Sequence, residues 1–408
     1  MPVVHMGDLV AHAYRNGYAV GAFEIADLDA LGGVIRAAER CRAPAILALR
    51  SGMTEASDTH ALMAAVEQAA RACAVPVAVQ AMDADGPEQA AMLIGAGCNG
   101  LSVATTATAF EHWIAGSRRV ADLARKCGVA VEGPAEAPPT AGRDPSHGVP
   151  AQPAVEEIKA FAERAGIDVV RIGVDRRGET PGGRLKPDYR RIGRISEAVC
   201  RPLAVEVDPR LGEDQMRRLI GYGVSKVNCG PALTDRALGR VWSALMDRPP
   251  DAAALRETLR EAVEAEAAHC MHVWGAAGRA AEVQIQCAPW EPVEHLLPCR
   301  VADGTPREEA MRVLLAGRDT LLRVTGVRDV LIGAGGLDGT PGPYCWLVRA
   351  VHPAVIGQLR VHPLSRGICA DEAAAPQARG QHVRGRSPGP SPLALERAGQ
   401  TARHRHTA

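Results

Sequence analysis

The feature that most constrains this chain is an alternation running from residue 17 to about residue 247. Short apolar runs bounded by turn residues alternate with helical patterns of ten residues or more. The runs are Tyr18–Glu24, Pro44–Leu49, Pro76–Ala81, Gly100–Ala104, Val129–Glu132, Asp168–Gly173, Pro202–Val207 and Val224–Asn228. Amphipathic stretches such as Asp27–Arg40 and Val155–Ala165 lie between them. A strand that is apolar on both faces must be covered on both faces, and helical crossovers between parallel strands do so with a fixed hand. Eight such units predict an α/β fold, a TIM-type (β/α)8 barrel, over residues 1–250. An open, doubly wound sheet is the alternative, but no Gly-rich dinucleotide fingerprint follows the first run.

A second pattern follows. Asp251–Val273 is a long Ala- and Glu-rich helical stretch, and Trp274–Pro292 reads as a linker, giving a helical extension and linker over 251–292. Then come strand Val293–Val301, helix Arg307–Val324, strand Val327–Gly333, a Gly-rich loop, strand Pro343–Val351 and helix Pro353–Val361. That order, β-α-β-β-α, predicts a smaller ferredoxin-like α+β domain over 293–372 without an evident last strand. Residues 373–408 are rich in Gly, Pro, Arg, Gln and Ser. They carry too little apolar surface to offset chain entropy, so a disordered tail is expected.

Composition excludes several functions. Lys+Arg and Asp+Glu both number 47, and the formal net charge is zero, whereas a general nucleic-acid binder would show a basic excess. With 5 Trp, 5 Tyr and 3 Phe there is little for a base-stacking platform. No apolar run is long enough to span a membrane. Met1–Asp8 lacks the basic and apolar regions of a secretory signal. The 11 cysteines show no paired spacing, and reduced thiols in a cytoplasmic protein are the expectation.

The first 250 or so residues resemble the class II (metal-dependent) ketose-bisphosphate aldolase family. The likeness is carried by Gly17-Tyr18-Ala19-Val20-Gly21-Ala22-Phe23 as first strand, Ala37-Ala38-Glu39 with Ala43-Pro44-Ala45-Ile46-Leu47 as first helix and second strand, Val75–Val79 as third strand and Gly223–Asn228 as eighth. The resemblance implies the barrel and carbon–carbon lyase chemistry with zinc as the family's cofactor. Its catalytic motifs are altered. The family's third strand ends His-Leu-Asp-His-Gly; here Asp83 takes the Asp position and Ala84 stands where a metal-binding His is expected. Strand five reads Val131-Glu132-Gly133-Pro134 in place of Val-Glu-Ala-Glu. The histidines expected after strands six and seven are replaced in Gly173-Val174-Asp175-Arg176-Arg177-Gly178 and Glu206-Val207-Asp208-Pro209-Arg210, and strand eight ends Asn228-Cys229-Gly230-Pro231. Catalytic zinc needs about three protein ligands, so no metal or other cofactor is expected. The Asp-Pro-Arg loop also lacks the glycines whose N–H groups hold a phosphate, so fructose-bisphosphate aldolase activity itself is not expected.

Active sites of such barrels lie at the C-terminal ends of the strands. There Asp83, Glu206 and Glu132 are the candidates for proton transfer, and Glu24, Arg50, Arg176, Arg177, Asp208, Arg210 and Asn228 for substrate binding. Arg176 or Arg177 would neutralise an enolate or hold a carboxylate. Lys226 shares the strand parity of Asn228 and could point inward, where a Schiff base is conceivable. Cys229 reads as an inert buried thiol and His147 as a solvated loop histidine. His269, Cys270 and His272 look metal-like in writing but lack a third ligand.

Residues 293–372 resemble the stress-responsive dimeric α/β-barrel family through Glu294-His295-Leu296-Leu297, Thr325–Val330 and His362-Pro363-Leu364-Ser365. That resemblance implies a homodimer or higher homo-oligomer and adds His295 as a binding candidate. The expected function is a divergent, metal-independent, aldol-type lyase acting on a small carbonyl or carboxylate compound, with no nucleic-acid or membrane partner. Two alternatives stay open: a non-catalytic aldolase-like scaffold dimerised by its C-terminal domain, and cyclase-type chemistry in that domain's cavity.

Overall fold

The structure is a computed structural model. It describes residues 3–50, 56–104, 110–135, 153–174, 185–208, 210–230, parts of 233–243, then 251–299, 305–334 and 344–361. It divides into two units, Met1–Glu291 and Pro292 onward.

In the first unit eight parallel strands close on themselves: β1 (Val20–Glu24), β2 (Ala45–Arg50), β3 (Val77–Ala84), β4 (Gly100–Val103), β5 (Ala130–Pro134), β6 (Val169–Arg171), β7 (Leu203–Glu206) and β8 (Val224–Cys229). Each corresponds to one of the apolar runs. β1 pairs with β2 and also with β8, through Gly21↔Val227 and Ala22↔Asn228, which rules out an open sheet. The strands are apolar because their outward residues face helices and their inward residues face one another. The helices of this layer are α1 (Met6–Arg15), α2 (Leu28–Cys41), α3 (Ala56–Ala72), α4 (Pro87–Ala96), α5 (Phe110–Lys126), α6 (Val155–Ala165), α7 (Tyr189–Val199) and α8 (Glu213–Gly221). Sequence marks several of their ends. Asp27 caps α2 by accepting from the N–H groups of Asp29 (2.9 Å) and Ala30 (2.7 Å). Asp188 caps α7 through Arg191 N–H at 3.0 Å.

Residues 251–291 pack with the barrel. The helix α9 (Ala252–Val273) lies against α2, Trp274 stacks on Phe23 with ring centroids 5.8 Å apart, and Trp290 is buried. The stretch read as a linker contains a further helix, α10 (Ala280–Gln286), and Pro289 bridges to Val4. Its irregular pattern concealed buried anchors, because single aromatic residues hold it in place rather than a periodic apolar face. Asp29 on α2 accepts from Arg260 (2.7 Å) and Arg256 (2.9 Å) on α9. Gly33 lets the two helices approach: a Cβ there would lie 2.7 Å from the Arg260 carbonyl oxygen and 2.8 Å from the Val263 side chain.

The second unit holds β9 (Val293–Cys299), α11 (Arg307–Leu321), β10 (Val327–Ala334), β11 (Tyr344–Ala350) and α12 (Pro353–Val361). The sheet order is β10-β11-β9, with β11 antiparallel to both neighbours. This is the ferredoxin-like arrangement expected for β-α-β-β-α. Trp346 is buried against α11 and donates its indole N–H to the Leu314 carbonyl at 3.1 Å. The turn at 362–365 and the tail lie outside the described residues. Among the described residues, no helix is long and apolar enough to cross a membrane.

The α2–α9 contact yields a test. Gly33→Ala should destabilise the protein by about 1–3 kcal/mol, the usual cost of overpacking where backbone must shift. Gly95→Ala, with nothing within 4 Å of the added Cβ, is the control in the same denaturant titration and should be neutral or stabilising.

Candidate active site at the barrel mouth

Four acidic side chains converge at the C-terminal ends of the strands: Glu24 from β1, Asp83 from β3, Glu132 from β5 and Glu206 from β7. Cross-strand register puts Glu132 level with Ser102 and Val169, and Glu206 level with Asn228, so these residues share the inward face. Asp83 reaches it differently. Strict alternation from the inward Gln80 would turn Asp83 outward. Instead Asp83 adopts a left-handed backbone with φ of 59°, at a register shift between β3 and β4. Asp tolerates that conformation better than most residues, and the irregularity re-aims the carboxylate into the mouth.

Two guanidinium groups bind these acids together. Arg50, at the end of β2, donates to Glu24 from Nη2 (3.1 Å) and Nε (3.2 Å), and Nη1 pairs with Asp83. Gly230 makes room for this arrangement, since a Cβ there would stand 2.5 Å from Glu24 Oε2. Arg171, at the end of β6, places Nη1 3.4 Å from Glu206, 3.8 Å from Asp83 and 3.9 Å from Glu132. Arg171 was not among the residues singled out from sequence. Its signal was present, a lone basic residue in the mainly apolar run Asp168–Gly173 with the same parity as Val169. Arg176 and Arg177, chosen for that role, lie outside the described residues, as does His147.

Beneath the mouth is a buried polar cluster. Glu132 and Lys226 are both fully buried, and Lys226 Nζ donates to Glu132 Oε2 at 2.6 Å and also to Asn228. Asn228 Nδ2 donates to Glu132 Oε1 at 2.9 Å, and Gln80 Nε2 approaches Oε2 at 3.4 Å. Burial by itself would raise the Glu132 carboxyl. The Lys226 and Arg171 charges, with hydrogen bonds from Lys226 and Asn228, outweigh it and hold the group below the ordinary carboxylate range. Glu206 goes the other way. Burial, with the charges of Glu132 and Asp83, raises it above the usual glutamate value against the pull of Arg171 and Arg50. Its side chain is still 48% exposed, so it is the mouth carboxylate most open to solvent.

The remaining candidates divide. Asp208 accepts from Arg210 Nη2 at 2.6 Å and from its backbone N–H at 2.8 Å, which holds the Asp208 carboxyl below its ordinary range and occupies both residues with each other. Cys229 is buried. His295 is on β9 of the second unit, level with the buried Val348. Lys226 does point inward, but its Nζ is engaged by Glu132 and Asn228.

Among the described residues, no three His, Cys, Asp or Glu side chains are grouped so as to hold a metal ion. The acids at the mouth already carry arginine or lysine partners, and Ala84 stands at the expected histidine position. The described donor set therefore does not fit a zinc ion.

The buried pair gives a test. Lys226→Met should cost about 3–5 kcal/mol by leaving a carboxylate buried without its main partner. Lys226→Met combined with Glu132→Leu should recover most of that loss in the same unfolding measurement.

Residues 4–279 match the family described as Fructose-bisphosphate aldolase class-II. The fructose-bisphosphate aldolase of Thermus caldophilus is 26% identical over 307 residues, covering 67% of this chain and 98% of that protein. Subunit GatY of the D-tagatose-1,6-bisphosphate aldolase of Klebsiella oxytoca is 27% identical over 237 residues, covering 57% and 83%. The sulfofructosephosphate aldolase of Alkalicoccus urumqiensis is 25% identical over 249 residues, covering 59% and 85%. Among solved structures, the YdjI aldolase of Escherichia coli K12 superposes with a TM-score of 0.59 at 20% identity, over 68% of this chain and 99% of that one, which supports the fold. By its matched residues, its closed barrel and its relatives, which are lyases, this chain belongs to the class II fructose-bisphosphate aldolase family.

Proposed function

We propose that the barrel is an aldol-type carbon–carbon lyase for a small carbonyl or carboxylate compound, in which guanidinium groups stand in for the family's metal ion. The observation that carries this reading is Arg171, whose Nη1 lies 3.4–3.9 Å from the carboxylates of Glu206, Asp83 and Glu132. A cation fixed there by three acids is positioned before the reaction, so it can stabilise an enolate oxygen without reorganising. Glu206 is the proton-transfer group. It is partly open to solvent, and its raised carboxyl brings it closer to neutral pH, where a general acid or base works best. Asp83, aimed inward by its left-handed backbone, is the second proton-transfer candidate. Glu132 is a positioning residue, because it is buried and its oxygens are taken by Lys226, Asn228 and Gln80. Glu24 and Arg50 form the opposite wall and would orient the substrate.

A phosphorylated ketose is a poor fit for this reading. Arg50, Arg171 and Arg210 are each paired with acids, so a phosphate dianion would have to displace a carboxylate to gain a partner. The same pairing favours one other reading, a scaffold whose mouth ions simply neutralise one another.

A homodimer through the second unit belongs to this proposal. One face of its sheet carries Trp346, Val348 and Ala350, all buried. The opposite face aligns Leu331, Leu347 and Leu296 across the three strands, with Leu296 60% exposed. An apolar row there suits a second copy of the same sheet. Leu296→Asp should convert a dimer into a monomer by light scattering. An unchanged mass, or a monomeric wild type, would remove this part of the reading.

Carbonyl release from a panel of phosphorylated and unphosphorylated aldols tests the chemistry. Glu206→Gln should lower kcat by about 10²–10⁴-fold. Arg171→Met should lower it by about 10²–10³-fold and should also move the acid limb of the pH profile upward. The sign follows from the charge: Arg171 lowers the Glu206 carboxyl, so its removal raises that group further. Activity that needs an added divalent ion, or that is unaffected by both substitutions, would sink the proposal; no turnover across the panel would favour the scaffold.

A further inference from the structure

Outside the barrel mouth, a cleft of about 800 Å³ opens between the ends of α2 and α9. Arg40, Cys41, Ala268, His269, His272 and Gly278 are among its lining residues. Cys41 Sγ lies 3.7 Å from His272 Nε2, so a free thiol and an imidazole face each other at the wall of an accessible cavity. Among the described residues, no carboxylate lines the cleft. Two flanking acids pair with wall residues, Glu264 with Arg40 at 2.6 Å and Glu213 with His269 at 3.4 Å, while the Arg40 side chain stays 58% exposed. Among the described wall residues, the charged and titratable groups are one arginine and two histidines beside one thiol, and the solvent-exposed Arg40 can share its charge between Glu264 and an incoming carboxylate.

We infer that Cys41 is a thiol-modification site, forming a mixed disulfide with a small anionic disulfide under the influence of His272 and Arg40. The step balances. His272 Nε2 takes the Cys41 proton, and the thiolate attacks one sulfur of the incoming disulfide. A new S–S bond forms as the old one breaks, and the departing thiolate takes the proton from His272. Cys41 sulfur is oxidised, and the released half of the co-reactant is reduced to its thiol. Burial raises the Cys41 thiol, with Arg40 acting against it and Glu264 with it, so His272 is needed to supply the thiolate. Arg40 holds a carboxylate of the incoming molecule.

The molecule supplies its own control. Cys200 is exposed on the surface, but it donates its S–H to the Glu197 carbonyl at 3.0 Å and has no histidine hydrogen bond among the described residues. Full-length protein would be incubated with oxidised glutathione and, separately, with the neutral 2-hydroxyethyl disulfide, and the adducts mapped by mass spectrometry over time. Cys41 should be modified about tenfold or more faster than Cys200 by oxidised glutathione, with a smaller advantage toward the neutral reagent. His272→Gln should slow Cys41 by about tenfold while Cys200 is unchanged, and Arg40→Gln should reduce only the preference for the anionic reagent. Equal rates at Cys41 and Cys200, or an unchanged rate in His272→Gln, would overturn the site. Equal preference for both reagents would overturn its anionic character. Circular dichroism of each variant separates a local effect from misfolding.

Discussion

The barrel is organised around a buried carboxylate. Glu132 sits inside the strand cylinder with Lys226 against one oxygen and Asn228 against the other, and Arg171 beside it. An ionised group in that position is tolerable only with partners close at hand and hydrogen-bonded. Those partners come from β6 and β8, so the charge balance of the core holds only if the strands close in this register. Asn228 and Lys226 are also in the strand that pairs with β1 and completes the cylinder. Closure and charge pairing therefore depend on each other.

The mouth extends the same logic outward. Arg171 belongs to both layers, touching buried Glu132 below and half-exposed Glu206 above. Arg50 repeats the pattern between Glu24 and Asp83. The result is a ring of alternating charge in which the acids have different environments. Glu132 is held ionised by its neighbours, while Glu206 is pushed toward neutrality by burial and nearby acids. Separating the proton affinities of neighbouring carboxylates is how one site can hold both a fixed anion and a proton carrier.

Much of this was legible in the sequence, and unevenly so. Glu24, Arg50, Asp83, Glu132, Glu206 and Asn228 were identified as mouth residues from their places at strand ends, and the structure brings them together. Arg171 is hard to read from sequence because it is embedded in an apolar run, just ahead of the more conspicuous arginines of the following loop. The inward aim of Asp83 was not readable from alternation, because it depends on one left-handed residue and a local register shift. Asp208 and Arg210 look like site residues in writing, yet they pair with each other across a two-residue separation. Such a local ion pair forms whatever the rest of the mouth is doing.

The sequence by itself determined the eight strands and the helices between them. Those choices rest on local apolar periodicity, on Gly and Pro breaks and on capping residues, all of which act within a few positions. It also determined the β-α-β-β-α order of the second unit. Only the tertiary structure decided which charges meet. Lys226 and Glu132 are 94 residues apart in the chain, and Arg50 and Asp83 are 33 apart. Nothing local couples either pair. Their distances follow from the closure of the sheet and the stagger of its strands, which arise from packing over the whole barrel.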